Sequence, residues 1–406
     1  MKEFYLLFVL FLFFGCTDEH KDCQEKIQIQ VHAGEMDRSQ SMVTVKGLTL
    51  KNEVNYFLQD PEGQFIPAQV RGNKITFSVK DLRANDTVQF ELTESDTVEE
   101  KSTTINFKED AVELSRSSGS PVFQYRTGVG GLDPDITEEV FYRGGYLHPF
   151  FTPNGRVITE HYTENRPHQN GIWTGWYKTE WNGLKPDFWS QAERTGKVEV
   201  VSVNSIKTGP VFGELKTTHH FNEKITKNSS TILSDEWTVR FYNDFEFSKR
   251  AVNIIDLDVC QTNISDHPLQ LIEHVYGGVG FRGSNQWIGE GKIEFVTSEG
   301  ENRIEAHQSI ARWVAMSGEI DGEPAGIIIL AHPDNPRFPE PVFINQREPF
   351  FTFAPLQAGD LILYPDDQFR VRYRYITLDG NLPASDEIEN YWKDYTNPVK
   401  TTILYQ

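Results

Sequence analysis

From Ile27 to Glu113 the chain alternates apolar and polar residues in short bursts: IQIQVHAG, SMVTVKGLTL, VNYFLQDPEGQ, NKITFSV, DTVQFEL and TTINF, separated by turn-forming residues. Alternation at period two sends every second side chain to one face, the mark of a half-buried strand. With turns about ten residues apart, it predicts a small immunoglobulin-like β-sandwich over 27–113. The stretch 114–120 is mostly small and polar and runs into Pro121, which suits a linker. Strands then resume in VFQYR, FYRGGYLHPFF, RVITEHY, KVEVVSV, GELKTTHHF, STILSDEWTVRFY, AVNIIDLDVCQT, AGIIILAH and FRVRYRYITL. Helical spacing of apolar residues is confined to DEIENYWKDY near the end. The predicted fold class is all-β: a large antiparallel β-sandwich, supersandwich or jelly-roll-like, over 121–406, preceded by the small one. The long runs at 231–242 and 252–262 point to extended, curved sheets of the kind that cradle sugars.

The first residues change the picture of where the protein works. MKEFYLLFVLFLFFGC sets Lys2 before an apolar run from Phe4 to Phe14, too short for the roughly 20 residues a spanning helix needs. A charged start, a short apolar stretch and a small residue before the cut describe a secretory signal over 1–15. Cys16 stands where bacterial lipoproteins carry their lipidated cysteine, so the mature chain is expected to begin there as an outer-membrane lipoprotein of the cell envelope. Residues 16–26, with the acidic TDEH, resemble a surface-export tether. The small sandwich then reads as an accessory module that lifts the rest away from the membrane. Only Cys23 and Cys260 remain, without metal-ligand spacing, which excludes a disulfide framework.

A net charge of −20, from 59 acidic and 39 basic residues, argues against nucleic acid as a partner. An anionic ligand would have to meet a local arginine cluster inside this acidic envelope.

Candidate chemistry gathers in HYTENRPHQNGIWTGW, residues 161–176. Alternation in RVITEHY puts Val157, Thr159 and His161 on one face and Ile158, Glu160 and Tyr162 on the other. Pro167 ends that strand, and the loop that follows carries Arg166 and His168 on either side of the proline. Trp173 and Trp176 come next, with Trp189 in PDFW. Such a set suits a carbohydrate: indole rings stack on sugar faces, an arginine fork pairs with a carboxylate or sulfate, and histidine moves a proton near neutral pH. Downstream, LIEHVYGGVGFRG adds Glu273, His274, Tyr276 and Arg282, and LAHPDNPRFPEP places His332, Asn335 and Arg337 after an apolar strand, where sites are commonly built. Histidines 161, 168, 274 and 332 could converge on a divalent metal, but no tight ligand spacing supports one, and none is assigned.

YLHPFFTPNGRVITEHYTENRPHQNGIWTGW, PDFW and GEPAGIIILAHPDNPRFPEPVF together resemble the bacterial PmoA-like family, a former domain of unknown function, over roughly 121–380. The resemblance is carried by the H-P-x-N-P-R segment at 332–337 and by an HPHHRG-like loop that here reads RPHQNG, with Gln169 and Asn170 where that pattern has histidine and arginine. Within the family, the lipoprotein signal and this loop resemble oligosaccharide dehydratases of ulvan degradation in marine Bacteroidetes. That implies loss of water from a non-reducing-end uronic acid, giving a 4,5-unsaturated uronyl sugar. Such an elimination needs a base at C5, an acid for the leaving 4-hydroxyl, and positive charge for the enolate. His168 and His274 are the candidates for base and acid, with Tyr162 in reserve for either. Arg166 and Arg337 would hold the carboxylate, and His161, Trp173, Trp176 and His332 would line the site. Three readings stay open beside it: a polysaccharide lyase, a hydrolase using Glu160 with Glu273, and a non-catalytic glycan-binding lipoprotein.

Overall fold

The computed structural model describes residues 27–50, 56–94, 102–128, 137–247 and 249–405. The expected signal at 1–15, the tether at 16–26 and Cys16 lie outside the described residues.

Two nine-stranded antiparallel sheets face each other. The front sheet runs Ile310–Ala311, Glu340–Ile344, Phe350–Phe353, Gly278–Arg282, Ile172–Gly175, Tyr146–Phe150, Pro121–Arg126, Ala111–Ser115, Thr104–Lys108. The back sheet runs Gly196–Lys207, Phe212–Glu223, Thr231–Tyr242, Arg250–Asn263, Gln368–Asp379, Glu323–Ala331, Trp313–Ile320, Glu294–Thr297, with Phe245–Phe247 added on Arg250–Asn263. Period-two alternation explains both faces. In Arg250–Asn263, Ile255, Leu257 and Val259 point between the sheets, while Asp256 and Asp258 point outward and pair in register with Arg374 and Arg372 on the next strand. Phe123, Leu147, Ile172, Phe281 and Phe351 from the front meet Leu215, Trp237, Val239 and Leu257 from the back. Each such fully buried side chain contributes roughly 1.5–3 kcal/mol. The all-β expectation holds, and the one α-helix among the described residues, Ser385–Thr396, is the segment whose spacing predicts it.

The small sandwich packs a five-stranded sheet against a three-stranded one around Ile29, Val31, Val43, Phe77 and Phe90. Its boundaries differ from the composition-based ones in two ways. Ala111–Ser115 pairs with Pro121–Arg126, so 114–120 holds the end of one large-sheet strand and the turn to the next. There the Arg116 N–H donates to the Ser120 carbonyl at 2.9 Å. The last strand, Lys400–Tyr405, returns to pair with Ile27–His32 and completes the small sandwich. The two sandwiches are tied by Arg38, which donates to Asp394 at 2.5 Å, and by Gln69, whose carbonyl accepts the N–H groups of Val211 and Phe212. Among the described residues, no helix is long and apolar enough to cross a membrane.

Candidate functional site on the outer face of the front sheet

Alternation on the front sheet sends Leu147, Ile172, Phe351 and Val342 inward and Tyr146, Trp173, Phe350 and Phe343 outward into a second aromatic cluster. Arg126, His148 and Arg282 share that outward parity. Trp173 lies at the bottom, 5.1 Å from Trp189 and 5.8 Å from Phe350 between ring centroids. Gly280, opposite it on the next strand, leaves the space this indole needs, since a Cβ there would come within 2.7 Å of the ring. Half-buried rings form the solvent side: Tyr276 against Trp189 (5.2 Å), His274 against Tyr276 (4.4 Å) and Tyr177 (4.9 Å), and Phe343 between Tyr276 (5.4 Å) and His307 (5.2 Å). Asp187 shapes the loop that delivers Trp189 by accepting the N–H groups of Trp189 and Ser190.

The 161–171 loop covers the other half of this face. It closes through Gly171, whose φ of +54° and approach to the Leu147 carbonyl, 1.9 Å from where a Cβ would stand, admit no side chain. Gln169 and Asn170 point inward. The Gln169 carbonyl accepts from buried Arg282 at 3.2 Å, and the Asn170 carbonyl accepts the Tyr162 N–H at 3.0 Å. Arg282 also meets Glu348 at 2.8 Å. His168 is left on the accessible side, and among the described residues neither of its ring nitrogens has a hydrogen-bond partner. Burial, then Arg166 and Arg282, push its pKa down to about 4, so it is neutral at physiological pH. Arg166 is exposed, its charge acts on His168, Arg282 and Tyr276, and among the described residues the one hydrogen bond of its guanidinium is to the carbonyl of its neighbour Asn165. Its guanidinium is free to meet an anion. Burial also lowers the His274 pKa, and His274 Nε2 is buried without a partner.

The face therefore brings together Arg166, His168, His274 and Tyr276, and it holds His161 on its other side. Five other expected site residues are engaged elsewhere in the fold. Tyr162, at φ +46°, turns its ring back beside Tyr146, and its hydroxyl both donates to the Arg143 carbonyl and accepts the Arg143 N–H, which leaves it no proton to trade. RVITEHY is not a regular strand but makes isolated bridges, which is why Tyr162 joins His161 on one face. Trp173 is wholly buried beneath the site, and Trp176 points between the sheets and donates to Gln261 at 2.7 Å. Arg337 spends its guanidinium on the carbonyls of Pro355, Gly359 and Asp360. His332 stands on the outer side of the back sheet against Tyr395, facing a cleft with Arg372 and Arg374, so the four histidines do not converge. Among the described residues, no group of three or more His, Cys, Asp or Glu side chains is placed to hold a metal ion.

The H-P-x-N-P-R segment is an architectural corner. Asn335 bridges buried Glu340 and both backbone groups of Arg372, and Arg337 pins the 355–360 turn, whose Leu356 carbonyl accepts the His274 N–H. A family model matches residues 112–393, most of the large sandwich and of its helix. The chain belongs to the DUF6807 family, a family of unknown function. Membership in the DUF6807 family supports neither the PmoA-like label nor ulvan-oligosaccharide dehydration. No curated protein matches the sequence. Solved structures with a similar course of the chain include galactose 1-epimerase from Lactobacillus acidophilus NCFM, at 7% identity and TM-score 0.33 over 70% of this chain and 100% of that one. An α-galactosidase from Lactobacillus brevis aligns at 10% identity and TM-score 0.31 over 68% of this chain and 39% of that one. This member of the DUF6807 family thus spans about two fifths of the α-galactosidase, and likeness at this level says nothing about its chemistry.

Proposed function

We propose that this protein is a carbohydrate-active enzyme that eliminates water from the non-reducing-end uronic acid of an acidic oligosaccharide, with ulvan fragments as the substrate class. A lipid on Cys16 would hold it at the outer membrane. The observation that carries the reading is the placement of one free arginine, Arg166, and two unpartnered imidazoles, His168 and His274, beside a wall of half-buried rings. Arg166 pairs with the carboxylate and stabilises the enolate that forms when C5 loses its proton. Neutral His168 accepts that proton. A second imidazole, expected to be His274, protonates the departing 4-hydroxyl, while Tyr177, Tyr276 and Phe343 offer ring faces to the sugar. Each proton-transfer group should contribute ~10²–10⁴ in rate.

The test is incubation with oligosaccharides ending in a saturated uronic acid, followed by ultraviolet absorbance of the conjugated product and by mass. Absorbance that rises with loss of one water and constant chain length supports dehydration. Chain shortening would instead make the protein a lyase, and binding without turnover would make it a glycan-capture protein.

A further inference from the structure

The same face carries a second pair of histidines that the scheme above does not use. His148 and His161 stack with ring centroids 3.9 Å apart and planes 32° from parallel. Each has Nδ1 tied to a hydroxyl: His148 to Thr159 at 2.9 Å and His161 to Tyr146 at 3.0 Å. Those hydroxyls are themselves fixed, since the Phe150 N–H donates to Thr159 at 3.0 Å and Tyr146 is buried in the aromatic cluster. Among the described residues neither Nε2 has a partner. Anchoring one ring nitrogen and leaving the other free is how a protein aims an imidazole at a ligand. His168 and His274 have no such anchor. The charged and titratable groups beside the pair are Arg126, Tyr146, Tyr162 and Glu160, the last accepting the His161 backbone N–H at 3.2 Å.

We propose that His148 and His161 form one proton-donating unit, loaded with a single proton when an anionic sugar binds beside it and discharged onto the leaving hydroxyl in place of His274. The proposal rests on the elimination reading. Two imidazoles in contact hold one proton between them, because the first charge opposes the second. Burial and Arg126 keep both rings neutral in the free protein, and an arriving carboxylate offsets that field and draws a proton in. The imidazolium formed beside the carboxylate is then a general acid placed for the departing hydroxyl. The balance closes without a co-reactant: the C5–H proton passes to His168, its electron pair forms the C4–C5 double bond, and the C4–O bond breaks. The hydroxyl leaves as water with the pair's proton, and His168 returns its own proton to solvent.

His148→Asn and His161→Asn keep an amide nitrogen where Nδ1 stood, preserving the Thr159 or Tyr146 contact, and remove Nε2. Each should lower kcat ~10²–10⁴-fold with KM little changed, whereas His274→Asn should act mainly on KM. Retained kcat in both variants, or loss confined to His274→Asn, overturns the proposal. Calorimetry of glucuronate binding in buffers of different protonation enthalpy supplies a readout independent of turnover. Wild type should take up a proton on binding and His161→Asn should not. If wild type yields no unsaturated product yet shows that uptake and the variant loses it, the elimination reading falls and the proton-loading pair stands. Equal uptake in both, or none in wild type, overturns the pair.

Discussion

Replacing Glu340 by glutamine should make the large sandwich more stable at alkaline pH and leave it nearly unchanged at acid pH. Glu340 is fully buried. Its carboxylate accepts from the Asn335 amide and the Tyr373 hydroxyl, both at 2.8 Å. Two hydrogen bonds do not replace the hydration a buried charge loses, and burial raises its pKa from 4.5 to about 7. The folded state thus holds the proton more tightly than the unfolded chain. The stability this contributes is complete below pH 4.5 and is lost as pH rises through about 7. At about 1.4 kcal/mol per pH unit, that gap amounts to about 3 kcal/mol at most. Glutamine copies the protonated acid: its carbonyl accepts from Asn335 and its amide donates to the Tyr373 oxygen. Urea unfolding followed by tryptophan fluorescence reports the large sandwich alone, because all eight tryptophans lie between Trp173 and Trp392. Other titrating groups affect both proteins alike and cancel in the difference. Equal stability changes in wild type and Glu340→Gln between pH 5 and pH 8 would refute the reasoning.

Arg166→Ala should weaken binding of a uronate-terminated oligosaccharide by about 10- to 150-fold, the worth of a charge-assisted contact of roughly 1.5–3 kcal/mol, without lowering the unfolding midpoint; titration calorimetry and thermal melts check both halves. Trp176→Phe strands the buried Gln261 carbonyl that the indole now reaches at 2.7 Å, so stability should fall by roughly 1–3 kcal/mol while ligand affinity stays at wild-type level. A weakened affinity with intact stability would return Trp176 to the site. Gly171→Ala pushes a methyl to 1.9 Å from the Leu147 carbonyl at a positive φ, and a loss above about 4 kcal/mol, seen as a collapsed denaturant midpoint, is the expected result.

Much of the fold was legible because period-two alternation is a local signal. It identifies the long strands, and in Tyr146–Phe150 it also places Tyr146 and His148 on one face, the cue by which His148 could have been found. Non-local pairing was not legible. Nothing in KTTILY says that it will lie beside Ile27–His32 at the other end of the chain. A turn of serines and glycine between two paired strands has the same composition as a linker, so 114–120 looked like a boundary. For the site, the residue types were visible but their depth was not. Trp173 and Trp176 sit three positions apart, so a strand sends them to opposite faces of one sheet, and both are then covered, one by the Trp189 and Phe350 rings and one by the facing sheet.

The loop RPHQNG shows how depth decides role. Among its side chains, His168, Gln169 and Asn170 differ less in chemistry than in what they face. Gln169 and Asn170 are 4% and 0% exposed and spend their carbonyls on Arg282 and on the Tyr162 backbone. An amide suits those places because it can satisfy a guanidinium or an N–H without adding charge to a buried site already holding Arg282. A second histidine or an arginine there would have to find new acceptors or be neutralised. With both amides committed to the loop's shape, His168 keeps its ring nitrogens unspent beside Arg166, and the proposed elimination draws on that spare hydrogen-bonding capacity.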